Sequence, residues 1–121
     1  MKHESFPLSF TEDAVRDRYI NQNYGLRFPF SIRSQVTSAP LRERGSRVTV
    51  PTGVIIPKHL LDRIHWEPTP HLFRGSYSVT LGDDNELLLV ATLGSTISHR
   101  FSRGDLIGRL TLKEPPCAAS S

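Results

Sequence analysis

Residues 76–93 read Ser-Tyr-Ser-Val-Thr-Leu-Gly-Asp-Asp-Asn-Glu-Leu-Leu-Leu-Val-Ala-Thr-Leu, and this stretch decides the fold. Apolar and polar side chains alternate up to Leu81, which is the two-residue period of a half-buried strand. Residues 82–85, Gly-Asp-Asp-Asn, are typical of a hairpin turn. The run from Leu87 to Leu93 is nearly all apolar, so we predict a second strand covered on both faces.

The same two-residue period continues on both sides of this hairpin. Residues 26–32 and 47–50 alternate apolar with polar or proline positions, and residues 106–112 form a last apolar strand. Residues 51–53, Pro-Thr-Gly, are predicted to turn the chain into a short strand at 54–57. Several short strands separated by turns favour an all-β fold, an antiparallel barrel or jelly roll.

Other segments carry different signals. Residues 9–20 predict one short N-terminal helix, because Ser9 and Glu12 have capping-box spacing. The polar stretch 34–46 is predicted to be a loop. Residues 60–66 fit either a helical turn or a strand, and Glu-Pro-Thr-Pro at 67–70 is predicted to break it. The predicted core consists of Leu26, Phe28, Val48, Val50, Ile55, Val79, Leu87, Leu89, Ala91, Ile107 and Leu110.

The length of 121 residues suits one folded domain. We divide it into an N-terminal segment with the helix (1–23), a β domain (24–113) and a flexible tail (114–121). No apolar run approaches the roughly 18 residues of a membrane span, and no signal-peptide stretch follows Met1. The single cysteine, Cys117, excludes an intrachain disulfide. We therefore expect a soluble, intracellular protein that does not associate with membranes.

The charge balance is weakly basic. Fifteen Lys and Arg stand against twelve Asp and Glu, giving a net charge of +3. The arginines are scattered along the chain, and the one local cluster is Arg42, Arg44 and Arg47 around Glu43. A solvated loop explains that cluster as well as a binding site does. Nucleic acid is therefore not the expected partner.

Catalytic and metal motifs are weak. His59, His65 and His71 recur at six-residue spacing, but the prolines between the last two disfavour a shared metal site. The chain has neither a Gly-x-Ser-x-Gly elbow nor a glycine-rich phosphate loop. Arg-Gly-Asp at 103–105 is explained by a turn. We predict no catalytic residue, no metal and no cofactor.

An aromatic stretch follows the middle of the chain. Trp66, Phe73 and Tyr77, with Arg63 and Arg74 between them, would suit a stacking platform for bases. Aromatic residues on strands are mostly core residues, and that interpretation is favoured.

The order of the β segments resembles the trimeric dUTPase family. Val-Pro-Thr-Gly at 50–53 matches a family turn, and Phe-Ser-Arg-Gly-Asp-Leu-Ile-Gly-Arg-Leu at 101–110 resembles its Phe-x-x-x-Gly-Asp-Arg-Ile-Ala-Gln-Leu. Tyr-Gly-Leu-Arg-Phe at 24–28 stands where the family has Ala-Gly-x-Asp-Leu. Residues 86–95 resemble the strand after Tyr-Arg-Gly-Glu. The resemblance spans residues 24–112.

The active-site positions differ from the family pattern. Arg27 replaces an Asp, Arg109 replaces a Gln, and residues 67–70 stand near the place of Pro-Arg-Ser-Gly. Asp83 or Asp84 is the candidate for the Asp of the nucleoside hairpin, although its flanking pattern is missing. No glycine-rich arm follows Leu112. The resemblance therefore implies a scaffold without catalysis, similar to the adenoviral early-region-4 first-reading-frame proteins.

This resemblance implies a viral pseudoenzyme that forms a homotrimer and binds host signalling or regulatory proteins in the cytoplasm or nucleus. A diverged dUTP pyrophosphatase and a nucleic-acid-binding module are the alternatives. The expected partner-binding residues are Trp66, His71, Phe73 and Arg74, because large aromatic and Arg side chains anchor protein interfaces. The competing interpretation is that Trp66 and Phe73 pin their loop to the core.

Overall fold

The computed structural model describes residues 6–70 and 73–113. In this part of the chain one α-helix accompanies nine strands, and every strand pair is antiparallel. The elements are β1 (Ser9–Phe10), α1 (Asp13–Asn23), β2 (Phe30–Arg33), β3 (Ser38–Leu41), β4 (Arg47–Ile55), β5 (Ile64–Pro68), β6 (Gly75–Leu81), β7 (Glu86–Leu93), β8 (His99–Ser102) and β9 (Leu106–Leu112). Short 3₁₀ turns cover Lys58–Leu60 and Asp83–Asn85. No helix in the described ranges is long and apolar enough to cross a membrane.

The strands form three sheets. One has the order β1-β4-β7-β6, the second β2-β9-β5, and the third pairs β3 with β8. The expectation of a mostly β, antiparallel fold with one short helix is confirmed. Among the described strands the sheets stay separate, so they do not close into a barrel.

The central hairpin forms at the predicted place. β6 pairs with β7 from Gly75 opposite Leu93 to Leu81 opposite Leu87. The turn uses positive φ angles at Asp84 and Asn85, residue types that tolerate this conformation. Every second residue of β7 from Leu87 to Leu93 is buried, whereas the residues between them are half-buried. Within one chain, therefore, only one face of β7 is fully covered.

The predicted turn at residues 51–53 is wrong. β4 runs through it as one strand, and a bulge between Pro51 and Ile55 shifts the register against β7. Gly53 takes a φ of +73° inside this bulge. A glycine that permits positive φ serves a bulge as well as a turn, so local sequence does not distinguish the two. Ile55, predicted in the core, is half-buried, whereas Val54 and Ile56 are buried.

Three further boundaries differ from the sequence predictions. α1 begins at Asp13, and Ser9 pairs with Ile55 in β1 instead of capping the helix. The predicted loop 34–46 contains β3, which pairs with β8. β5 includes Glu67 and Pro68, so the strand continues into the segment that was predicted to break it. Each difference comes from a long-range strand pairing that local propensity does not report.

Two hydrophobic clusters form the core. The first joins α1 to the sheets through Leu8, Val15 and Tyr19, so the N-terminal segment shares the core of the β domain. The second lies among β3, β4, β7 and β8 and includes Leu89 and Phe101. The other predicted core residues are buried or half-buried: Leu26, Phe28, Val48, Val50, Val79, Leu87, Ala91, Ile107 and Leu110.

Candidate functional site

Trp66 lies on β5 and packs inward. It contacts both hydrophobic clusters, and its indole covers Gly108 on the neighbouring strand β9. A Cβ added at Gly108 would lie 2.4 Å from the Trp66 ring, so the close approach requires glycine there. The aromatic ring is therefore a wall of the core that stays partly accessible.

Phe73 and Arg74, immediately before β6, have different surroundings. Phe73 packs against Tyr77, His99 and Phe101, with ring centroids 5.2–5.7 Å apart. Arg74 is exposed. His71 lies outside the described residues. Of the predicted partner-binding residues in the described ranges, Arg74 presents an exposed side chain, and Trp66 and Phe73 contribute to packing.

Among the described strands, the outer side of β6 is an unpaired edge. Gly82 N–H donates to the Glu86 carbonyl at 2.8 Å, and Gly94 N–H donates to the Arg74 carbonyl at 2.9 Å. Hydrogen-bonded positions alternate along an antiparallel ladder, so the even-numbered residues of β6 bond to β7. The backbone groups of Tyr77, Val79 and Leu81 therefore point away from β7. No described strand pairs with them there.

β5 has the same arrangement in the second sheet. Lys113 N–H donates to the Arg63 carbonyl, and Thr69 N–H donates to the Ile107 carbonyl. The odd-numbered residues therefore bond to β9, and the backbone groups of Ile64 and Trp66 point to the other side. No described strand pairs with that side of β5.

An apolar groove lies between these two edges. It has a volume of about 150 Å³, and its walls come from β5 on one side and β6 on the other. Leu61 and Leu81 are 42% and 37% exposed there, which is high for leucine in a folded chain. We call this groove with its two flanking edges the seam. The lining residues are Ile56, Leu61, Ile64, Trp66, Val79, Thr80, Leu81, Leu87 and Leu110.

A second depression of about 460 Å³ lies on the sheet β2-β9-β5. Residues 67–70 line it together with Arg109, so the fold brings together two positions at which the sequence departs from the dUTPase pattern. Arg109 Nη2 donates to Glu67 Oε1 at 2.8 Å. Both side chains are about half exposed, so this ion pair contributes at most about 1 kcal/mol. We call this depression the Arg109 cleft.

Other residues of the dUTPase resemblance take part in packing or lie on turns. Thr52 is buried, and its hydroxyl donates to the Leu87 carbonyl at 2.6 Å. The Asp105 carboxylate accepts the N–H of Ser102 and closes a turn. Asp83 and Asp84 are exposed on the β6–β7 turn and do not line the Arg109 cleft.

The histidines are not gathered into a metal site in the described ranges. His59 is exposed on the 3₁₀ turn, and His65 lies 3.9 Å from Glu67 on the outer face of β5. No group of three His, Cys, Asp or Glu residues in these ranges could hold an ion.

The sequence does not predict the seam. It predicts Trp66 either as a partner-binding anchor or as a residue that pins its loop to the core. The remaining walls come from five separate segments, and periodicity alone does not show which strands end up at sheet edges. Comparison of the chain with models of protein families, with characterised proteins and with solved structures finds no match.

Proposed function

We propose that this chain is a non-catalytic protein-binding module, derived from a dUTPase-like scaffold of viral origin. It acts on host regulatory proteins in the cytoplasm or nucleus. The family part of this proposal is supported by the motif order in residues 24–112. The observation that supports protein binding is the seam.

The seam fits an extended peptide segment. The backbone donors and acceptors of Tyr77, Val79 and Leu81 are spaced as one side of a ladder, and an added strand satisfies them at two-residue intervals. Alternate side chains of such a strand point to one face. Because the groove beside this edge is apolar, we expect Val, Ile, Leu or Phe at alternate positions of the bound segment.

The arrangement of the sheets makes β6 the better docking edge. Pro68 ends β5 and lacks an N–H group, which limits ladder formation along that side. β6 is longer, and it carries no proline. Long edge strands without proline or charge are the ones that recruit a further strand. The incoming segment therefore bonds to β6 and packs its side chains against Trp66 and Ile64.

Hydrogen exchange on the intact chain tests this binding mode. The probes are ten-residue synthetic peptides with alternating apolar residues, and control peptides have the same composition in scrambled order. We expect the amides of Tyr77, Val79 and Leu81 to exchange quickly in the free protein and to become protected by the alternating peptides. Continued fast exchange of these amides at saturating peptide would overturn the proposal.

A matched pair of variants locates the surface. Leu81→Lys places a charge in the seam, whereas Leu106→Lys places one at a leucine of similar exposure, 41% against 37%, that lines the Arg109 cleft. We expect Leu81→Lys to weaken peptide binding at least tenfold and Leu106→Lys to leave it unchanged. Equal losses, with melting temperatures preserved, would contradict the assignment to the seam.

An assay of pyrophosphate release tests the proposed absence of catalysis. We expect no pyrophosphate release from dUTP with Mg²⁺. Release that disappears in the Asp83→Asn, Asp84→Asn double variant would show a diverged pyrophosphatase instead.

A further inference from the structure

Five arginines that are far apart in the sequence lie at one end of the molecule. We call this group the basic end, and it consists of Arg42, Arg44, Arg47, Arg74 and Arg100. Gly45 N–H donates to the Leu93 carbonyl at 2.7 Å, while Gly94 N–H donates to the Arg74 carbonyl at 2.9 Å. These bonds place the turn at residues 42–46 on one side of the end of β7 and Arg74 on the other side.

Arg100 joins the group through the third sheet. It pairs with Pro40 in the β3–β8 ladder, two residues before Arg42. Its guanidinium donates to the Ser38 hydroxyl at 2.7 Å, on the side of Pro40 away from Arg42, so Arg100 lies at the margin of the group. The arginines that are scattered in sequence are therefore gathered by three strand pairings.

The charges of the basic end are not balanced locally. All five side chains are exposed, and Glu43 is the acidic residue within the turn at residues 42–46. The ion pairs recorded within residues 6–70 and 73–113 involve Glu67, not these arginines. Exposed cations without neighbouring acidic partners create a positive surface potential, which attracts anions.

The acidic residues of the central hairpin lie at its other end. Asp83, Asp84 and Glu86 follow β6, whereas Arg74 precedes it. The seven residues of β6 separate these two groups by about 23 Å. The acidic residues and Arg74 therefore lie at opposite ends of this hairpin.

The depression beside Arg47 carries several hydroxyl groups. Its volume is about 190 Å³, and it is lined by Ser76, Ser78, Thr92 and Tyr77 together with Val90. Arginine together with Ser and Thr hydroxyls is the combination that contacts nucleic-acid phosphates. Protein interfaces instead have apolar and aromatic residues at their centre.

We infer that the basic end binds the phosphate backbone of nucleic acid without reading its sequence. This inference does not rest on the proposed protein-binding function, because the seam and the basic end are different surfaces. From the sequence, nucleic acid is not the expected partner, because the arginines are scattered along the chain; the strand pairings bring several of them to one end.

Fluorescence anisotropy of the intact chain tests this inference. The probes are a labelled 30-nucleotide single strand and a 30-base-pair duplex, titrated between 50 and 200 mM salt. The Arg47→Gln, Arg74→Gln variant removes two charges from the basic end. The Arg16→Gln, Arg27→Gln variant removes two exposed charges elsewhere and is the matched control.

We expect the basic-end variant to bind at least tenfold more weakly and the control variant to bind like the wild type. On the duplex the salt slope of log K should fall by about 1.8, since each lost phosphate contact removes about 0.9. No binding at 50 mM salt, or equal losses in both variants, would overturn the inference. Tighter binding to a poly-glutamate peptide of equal charge than to either oligonucleotide would also overturn it.

Discussion

Tyr19 is the residue through which the helix is joined to two sheets. It is fully buried, and its hydroxyl lies 2.7 Å from the Thr52 carbonyl and 2.8 Å from the Arg33 carbonyl. The same oxygen accepts the N–H of Arg33. A buried phenol needs such partners, because an unsatisfied hydroxyl costs roughly 1–3 kcal/mol. Burial also raises the pKa of Tyr19 well above its ordinary value.

This raised pKa predicts a loss of stability in alkali. The unfolded chain ionises Tyr19 near pH 10, whereas the folded chain keeps the phenol protonated to higher pH. The stabilisation is therefore complete below pH 10 and declines as the pH rises above it. Between pH 10 and 11 the wild type should lose about 1 kcal/mol more than Tyr19→Phe in urea unfolding. Equal losses in the two proteins would contradict this linkage.

The bulge of β4 is the element against which the start of α1 packs. The Gly53 carbonyl accepts the N–H of Thr11 at 3.0 Å, and the Glu86 carboxylate accepts the N–H of Gly53 at 3.1 Å. Val15 of the helix lies so close that a Cβ on Gly53 would be 2.6 Å from its Cγ1. The positive φ of Gly53 permits the bulge, and its missing side chain leaves room for Val15 of the helix.

Two alanine substitutions separate these roles. Gly45 also has a positive φ, +88°, but nothing lies within 4 Å of an added Cβ. We expect Gly45→Ala to cost about 1 kcal/mol from backbone strain alone. Gly53→Ala should cost a further 1–3 kcal/mol, approximately, from overpacking against Val15. Equal free energies of unfolding for the two variants would show that the helix does not press on the bulge.

At the scale of the whole molecule, the sheets enclose two hydrophobic clusters and leave particular surfaces open. The outer face of the large sheet carries the row Pro51 and Leu88, which lie opposite each other. Leu88 is half-buried and packs over Gly82. We propose that the homotrimer implied by the dUTPase resemblance covers this part of the face. The row lies at the end of the sheet opposite Arg47, so the basic end remains available.

Light scattering checks this assembly. At micromolar concentration the wild type and Leu106→Lys should have three times the 13.6 kDa mass of one chain. Leu88→Lys should have the mass of one chain, because a charge on that face is costly to bury between subunits. A wild-type mass of one chain would refute the trimer. Unchanged melting of Leu88→Lys in its monomeric form would exclude simple unfolding as the cause.

The sequence alone determined those features that depend on local chemistry. Period-two alternation and the Gly-Asp-Asp-Asn turn predicted the β6–β7 hairpin, since side-chain period and turn residues act over only a few positions. The apolar pattern also predicted β9 and most of the core. The sequence also predicts one helix that contains Val15 and Tyr19. The capping signal at Ser9 places the start of this helix too early, because α1 begins at Asp13.

The tertiary structure decided which edges stay open and which distant charges meet. Gly53 is compatible with both a turn and a bulge, and only pairing with β7 selects the bulge. A tryptophan such as Trp66 is equally compatible with a surface anchor and with the wall of a core. Only its packing over Gly108 distinguishes the two. The seam and the basic end each combine segments tens of residues apart. Their existence depends on long-range strand pairing, which local propensity does not encode.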